Sequence, residues 1–173
     1  MVTPMKGGES VMFSHDGKSR KEREEEFRRQ HVLESAEALF AEKGFDGTTV
    51  SDIAERSELA KGSLYNIFKS KQEIVDAIVE RKVDEMRKTL DEIFAKDIGP
   101  REKILLIMEA KLRGIWEHRG FAKLFINEFH GFNWYLEIPI LKSCGESIIQ
   151  MLKQLELLII DGQKAGEIRG DVH

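Results

Sequence analysis

Apolar residues recur along this chain at intervals of three and four, the spacing that gathers side chains on one face of an α-helix. Val32, Leu33, Ala36, Leu39 and Phe40 form the first such set. Their helix begins behind Ser19 as N-cap, runs through the charged turn RKEREEEFRR and stops at GFDG (44–47). Gly44 suits the left-handed position past a helix C-terminus. Thr48 or Thr49 caps a short second helix, VSDIAERS, with Val50, Ile53 and Ala54 pointing one way. LAKG connects it to a third short helix, SLYNIF. Ser70 caps a fourth, KQEIVDAIVERKVDEMRKTLDEIFAKD, and Glu73 stands three residues on, as a capping box requires. The apolar side of that helix is Ile74, Ala77, Ile78, Met86, Leu90 and Phe94. It ends at IGP (98–100), because Pro100 starts a helix but does not continue one.

Residues 101–118 predict another amphipathic helix through Ile104, Leu105, Met108, Leu112 and Ile115. Gly120 punctuates, a helix follows from about 121 to 130, and 131–139 reads as irregular. A last long helix occupies roughly 140–165 and is apolar nearly all round at 148–160, so it needs cover on more than one side. Residues 1–19 mix Gly, Ser, Pro and charge without periodicity and read as a disordered leader. No strand pattern is present, and the expected fold is all-α.

Composition narrows the function classes. Of 173 residues, 41% are apolar and 34% charged with only three prolines, which suits a soluble helical protein with one sizeable core. The net charge of −4 means that nucleic-acid binding must rest on a local basic patch. A lone cysteine, Cys144, excludes an intrachain disulfide or multi-thiolate metal site and reads as a buried inert thiol. No apolar run is long enough to cross a bilayer, and the N-terminus lacks the apolar centre of a secretory signal, so a cytoplasmic protein is expected with no membrane partner. His118, Glu128 and His130 are poor metal-ligand candidates, since Glu128 and His130 are two apart and face different sides of a helix. There is no nucleophile elbow and no phosphate-cradling glycine loop, so neither an enzyme nor a cofactor is expected.

The informative stretch is SELAKGSLYNIFKSK, residues 57–71. It puts Gly62 and Ser63 at a helix start, an aromatic hydroxyl at Tyr65, and lysines at 61, 69 and 71. Two short helices joined by a tight turn match a helix-turn-helix, whose second helix enters the DNA major groove. Gly62 and Ser63 then let backbone approach DNA, Tyr65 can donate to a phosphate, and the lysines form a cation cluster. Residues 18–71 carry eleven basic and eleven acidic groups, but the acids concentrate in the first helix while 61–71 is purely basic. Arg20, Lys21 and Arg23 are expected to add an arm along the phosphate backbone.

In order and spacing, LF-x-x-x-GF (39–45), TTV-x-x-IA (48–54), KGSLY (61–65) and F-x-SK-x-x-I (68–74) resemble the TetR family of bacterial one-component repressors. The resemblance covers about a quarter of the chain. It implies a helix-turn-helix DNA-binding domain (20–70) followed by a larger helical domain (71–173) for ligand binding and dimerisation. Carried over by position, Thr49 caps the second helix and touches phosphate, and Ser51 reaches a base. Lys61, Gly62 and Ser63 lie where base contacts are usual, with Asn66 in the same DNA-facing set. Tyr65 and Lys71 match phosphate-binding positions. Ala60 stands where a serine N-cap is common, and Ile67 where a histidine often helps hold phosphate.

The partners so implied are double-stranded operator DNA, a second copy of the chain and a small-molecule effector. Seven of the fourteen aromatics fall between 116 and 135, which points to an apolar effector held near Trp116, Phe125, Phe129 and Trp134. Ile148, Leu152, Leu155 and Ile159 are the expected homodimer surface. The chain stops at GEIRGDVH, where the family would place a final helix, so it is expected either to be shortened or to dimerise through residues 148–160 alone. The competing class is a helical protein–protein adaptor with the same fold and no DNA binding.

Overall fold

A computed structural model of the chain describes Gly17, residues 19–117 and residues 141–171. Six helices are present among them and no strand: α1 (Arg20–Lys43), α2 (Val50–Arg56), α3 (Lys61–Ile67), α4 (Lys71–Phe94), α5 (Pro100–Glu117) and α6 (Leu141–Lys164). The expected leader at 1–19 and the stretch 121–139 lie outside the described residues, apart from Gly17 and Ser19.

The helix starts follow from local chemistry. Ser19 accepts from the Glu22 N–H and Glu22 returns a bond to the Ser19 N–H, so two orphan donors of α1 are satisfied reciprocally. Ser70 accepts from the Glu73 N–H, but the Glu73 carboxylate reaches one residue further back, to the Lys69 N–H at 2.5 Å. Lys61 and Gly62, expected in the connection, form the first turn of α3. Gly44 ends α1 at φ +76° and ψ 172°, a conformation open in practice to glycine alone.

α4 packs against α1, α5 and α6, and α2 lies between α1 and α3. One cluster of buried side chains runs from Val32, Ala36 and Phe40 of α1 through Ile53, Leu64 and Phe68 to Ile74 and Ile78 of α4, and on to Cys144, Ile148 and Met151 of α6. Contact on several sides changes which α4 residues are buried. Val75, Val79, Val83 and Ile93 join the expected set, while Met86 is exposed. The first half of α1 buries nothing, and Phe27 there stacks on His31 in the open. The expected arm is therefore a helical turn, with Arg20 paired to Glu24 at 2.8 Å and Lys21 to Glu25 at 3.8 Å.

The C-terminal turn after α6 closes the far end. Gly166 (φ +73°) turns the chain back, and the Glu167 carboxylate accepts from the Arg101 N–H at 3.0 Å, capping α5 from 66 residues away. Lys103 donates to the Phe94 carbonyl and caps the end of α4. Along α5 the apolar residues Leu105, Met108, Leu112, Ile115 and Trp116 are all more than half exposed. Among the described residues no helix is long and apolar enough to cross a membrane.

Candidate nucleic-acid interface

α2 is fastened to the end of α1 at both of its own ends. Thr48 is buried, and its hydroxyl donates to the Gly44 carbonyl at 2.8 Å and to the Leu39 carbonyl at 3.3 Å. Thr49 caps α2: its Oγ1 accepts from the Asp52 N–H, and its own N–H and hydroxyl donate to Asp52 Oδ2 at 2.7 and 2.6 Å. Lys43 pairs with Asp52 at 3.2 Å, and Arg56 with Glu42 at 2.7 Å. The Thr49 hydroxyl first, then the Thr49 N–H and Lys43, hold the Asp52 carboxyl down at about 2 from its ordinary 3.8.

The turn between α2 and α3 is a Schellman closure. The Leu59 N–H donates to the Ala54 carbonyl and the Glu58 N–H to the Glu55 carbonyl, with Glu58 at φ +56° in the left-handed region usually given to glycine. Buried Ser57 donates its hydroxyl to the Ile53 carbonyl. Nothing in the residue type of Glu58 signals this conformation.

α3 is seated by Leu64 and by Phe68 just past its end, both fully buried. Arg29 of α1 lies over the Phe68 ring at 4.3 Å. This seating leaves Lys61, Gly62, Ser63, Tyr65 and Asn66 exposed on the outer face, with Thr49 and Ser51 exposed at the start of α2. A side chain at Gly62 would meet nothing within 4 Å, so the fold itself does not require glycine there. Ala60 caps α3 without a side-chain bond, as its residue type implies. Ile67 is half-buried against the core.

Two of the three cations make hydrogen bonds within the protein. Lys69 donates to the Tyr65 carbonyl at 3.0 Å. Lys71 turns inward: its ammonium donates to the Phe45 carbonyl at 2.5 Å and the Thr48 carbonyl at 2.9 Å, and lies 4.0 Å from the Phe45 ring centroid. Between α1 and α3 runs a groove of about 700 Å³, lined by Glu22, Glu25, Glu26, Arg28 and Arg29 of α1 and by Ser63 and Asn66 of α3.

The other expected sites are scattered. Trp116 is 73% exposed at the end of α5, and Phe125, Phe129 and Trp134 lie outside the described residues. Ile148 is buried in the chain's own core rather than left for a partner, Leu155 and Ile159 are half-buried, and Leu152 is exposed with Ile149 and Leu157. Among the described residues no group of His, Cys, Asp and Glu is placed to hold a metal.

Two short consecutive helices in contact, joined by a tight turn and presenting a polar outer face, define a helix-turn-helix protein with a helical remainder. Residues 32–78 match the bacterial regulatory proteins of the tetR family. The HTH-type transcriptional repressor KstR2 of Mycobacterium tuberculosis is 34% identical over 101 residues, 58% of this chain and 50% of the relative. DhaR, an HTH-type transcriptional repressor of a Mycobacterium species, is 26% identical over 83% of this chain and 71% of its own length. The solved structure of the ketosteroid transcriptional regulator KstR2 superposes with a TM-score of 0.70 at 28% identity, over 84% of this chain and 73% of that one. A TetR/AcrR-family regulator from Thermobifida fusca superposes at 0.65 with 29% identity, over 84% and 75% of the two chains. Residues 32–78 thus carry the tetR-family match, and the chain around them is similar in fold to solved regulators of that family. It spans about half the length of the KstR2 relatives that it matches.

Proposed function

We propose that the chain is a ligand-responsive transcriptional repressor that binds a pseudo-palindromic operator as a homodimer. The observation that carries this reading is the division of α3, with Leu64 and Phe68 seating it and Lys61, Gly62, Ser63, Tyr65 and Asn66 on its outer face. In this reading the N-terminal residues of α3 enter the major groove, with Lys61, Ser63, Asn66 and Ser51 reaching base edges. Tyr65 holds a phosphate beside them, while the Thr49 hydroxyl and N–H stay with Asp52 as the cap of α2. Two such helices across a two-fold axis reach half-sites about 34–36 Å apart. The exposed Ile149, Leu152 and Leu157 of α6 supply apolar surface for the partner.

The proposed effector is a small, largely apolar molecule. The exposed apolar side of α5 from Leu105 to Trp116 supports it, as does the ketosteroid regulation named for the KstR2 structure. α4 begins at the helix-turn-helix and ends against α5, so it is the element through which effector binding shifts the spacing of the two α3 helices. Compounds that raise the melting temperature and release DNA test this part.

Selection of duplexes from a random library by the full chain tests the main reading. The expected product is a two-fold-symmetric motif whose affinity falls steeply with salt. Recovery of no enriched sequence, with binding no tighter than to bulk DNA, sinks the repressor reading and favours the adaptor.

A further inference from the structure

Lys71 is the first residue of α4, yet its side chain leaves that helix and enters the turn between α1 and α2. Its two carbonyl acceptors, Phe45 and Thr48, lie 26 and 23 residues back in the chain, and the Phe45 ring covers the same ammonium. Phe45 in turn packs on Phe40 of α1, with ring centroids 5.7 Å apart. The turn held in this way delivers Thr49 and the first residues of α2. A lysine ammonium has three donors and no acceptor capacity. With two donors given to carbonyls and its charge set against an aromatic face, the group is held within the protein.

We propose that Lys71 is a positioning residue for DNA binding and not a phosphate ligand. It ties the start of α4 to the α1–α2 turn, and so fixes Thr49 and Ser51 relative to α3. A phosphate approaching the start of α4 would meet backbone N–H groups there rather than the lysine charge. This inference rests on the DNA-binding reading above.

The test compares full-length wild type, Lys71→Met, Lys71→Arg and Lys61→Met on the selected duplex at several salt concentrations, each first shown to be folded by circular dichroism. A group that neutralises a phosphate contributes about 0.9 to the slope of log K against log salt. Lys71→Met is expected to bind about tenfold more weakly at every salt with the slope unchanged, while Lys71→Arg recovers much of the loss. Its amide resonances at 46–51 are expected to shift while those at 61–67 stay in place. Lys61→Met supplies the comparison for an exposed cation at the interface.

A slope reduced by about 0.9 in Lys71→Met makes the lysine a phosphate ligand and overturns the proposal. Unchanged affinity in the folded variant overturns it too, since a lysine that only stabilises the fold would lower the melting point and nothing else. If Lys71→Met does not fold, Phe45→Leu removes the ring face and keeps the charge. It is expected to weaken binding with the slope unchanged, and wild-type affinity there overturns the proposal. Failure of wild type to hold any duplex is a different result, which overturns the DNA-binding reading and this inference with it.

Discussion

Glu37 of α1 and Arg81 of α4 meet at 2.6 Å, and both side chains are less than one-fifth exposed. Lys82 adds its ammonium to the same carboxylate at 3.3 Å. The cluster joins the helix that carries the helix-turn-helix to the helix that leads away from it.

Removing the shared anion is expected to cost more than removing either cation. Glu37→Gln leaves two partly buried cations facing each other, with half-exposed Glu85 paired to both. The expected loss is about 2–4 kcal/mol in urea unfolding, below the range for a fully buried pair because water reaches the cluster. Arg81→Met leaves Glu37 with Lys82 and is expected to lose about 1–2 kcal/mol. The reverse order, or a loss within error for Glu37→Gln, would show that the cluster is solvated.

Gly62 and Gly47 predict opposite outcomes for the same substitution. A Cβ at Gly62 meets nothing, so Gly62→Ala should stabilise the free protein by up to about 1 kcal/mol. It should also weaken operator binding at least tenfold if the backbone must approach DNA there. A Cβ at Gly47 would overlap the Lys43 carbonyl oxygen, so Gly47→Ala should destabilise by about 1–3 kcal/mol through distortion of the α1–α2 turn. Thermal unfolding and a binding titration on both variants separate the two causes. Undiminished DNA affinity in Gly62→Ala would remove the close-approach argument.

What was legible in the sequence is what depends on near neighbours. Ser19, Thr49 and Ser70 act as caps because a side-chain oxygen three residues before an orphan N–H has one good partner, and the helices between them follow from the 3.6-residue period. The outer face of α3 was legible for the same reason, since Leu64 and Phe68 mark its inner side. Long-range choices were not. Whether Met86 is covered depends on where α5 and α6 lie, and the inward turn of Lys71 depends on a carbonyl 26 residues away. T-x-x-D at 49–52 carries the local signal for the Thr49–Asp52 capping pair.

Asp52 gives the fold an acid-sensitive element. Its folded carboxyl titrates near 2 instead of 3.8, chiefly through the Thr49 hydroxyl. A carboxylate whose pKa is depressed on folding adds stability that is fully present above its unfolded value and is lost as pH falls through the folded one. The contribution should therefore be constant above about pH 5 and decline between roughly pH 4 and 2. Thr49→Val removes the largest cause, so its melting-point deficit against wild type should be full at pH 6 and shrink on acidification across that window. A deficit that stays constant down to pH 2 would mean that the hydroxyl acts through packing and the helix cap alone.

Glu58 closes the turn into α3 at φ +56°, where a side chain with a Cβ is strained and glycine is not. Its backbone does the work of the Schellman closure, and no side-chain hydrogen bond or ion pair of Glu58 accompanies it among those found in the described residues. Relief of the strain in Glu58→Gly should outweigh the added freedom of the unfolded chain, giving a net gain of up to about 1 kcal/mol. Glu58→Val should go the other way, losing about 1–2 kcal/mol, because a β-branched residue is poorest at positive φ. The glycine variant also removes a negative charge beside the outer face of α3, so its DNA affinity at low salt should rise slightly and that rise should vanish at high salt. Urea unfolding of the pair measures the first effect. A glycine variant less stable than wild type would show that the carboxylate, and not the backbone, holds this turn.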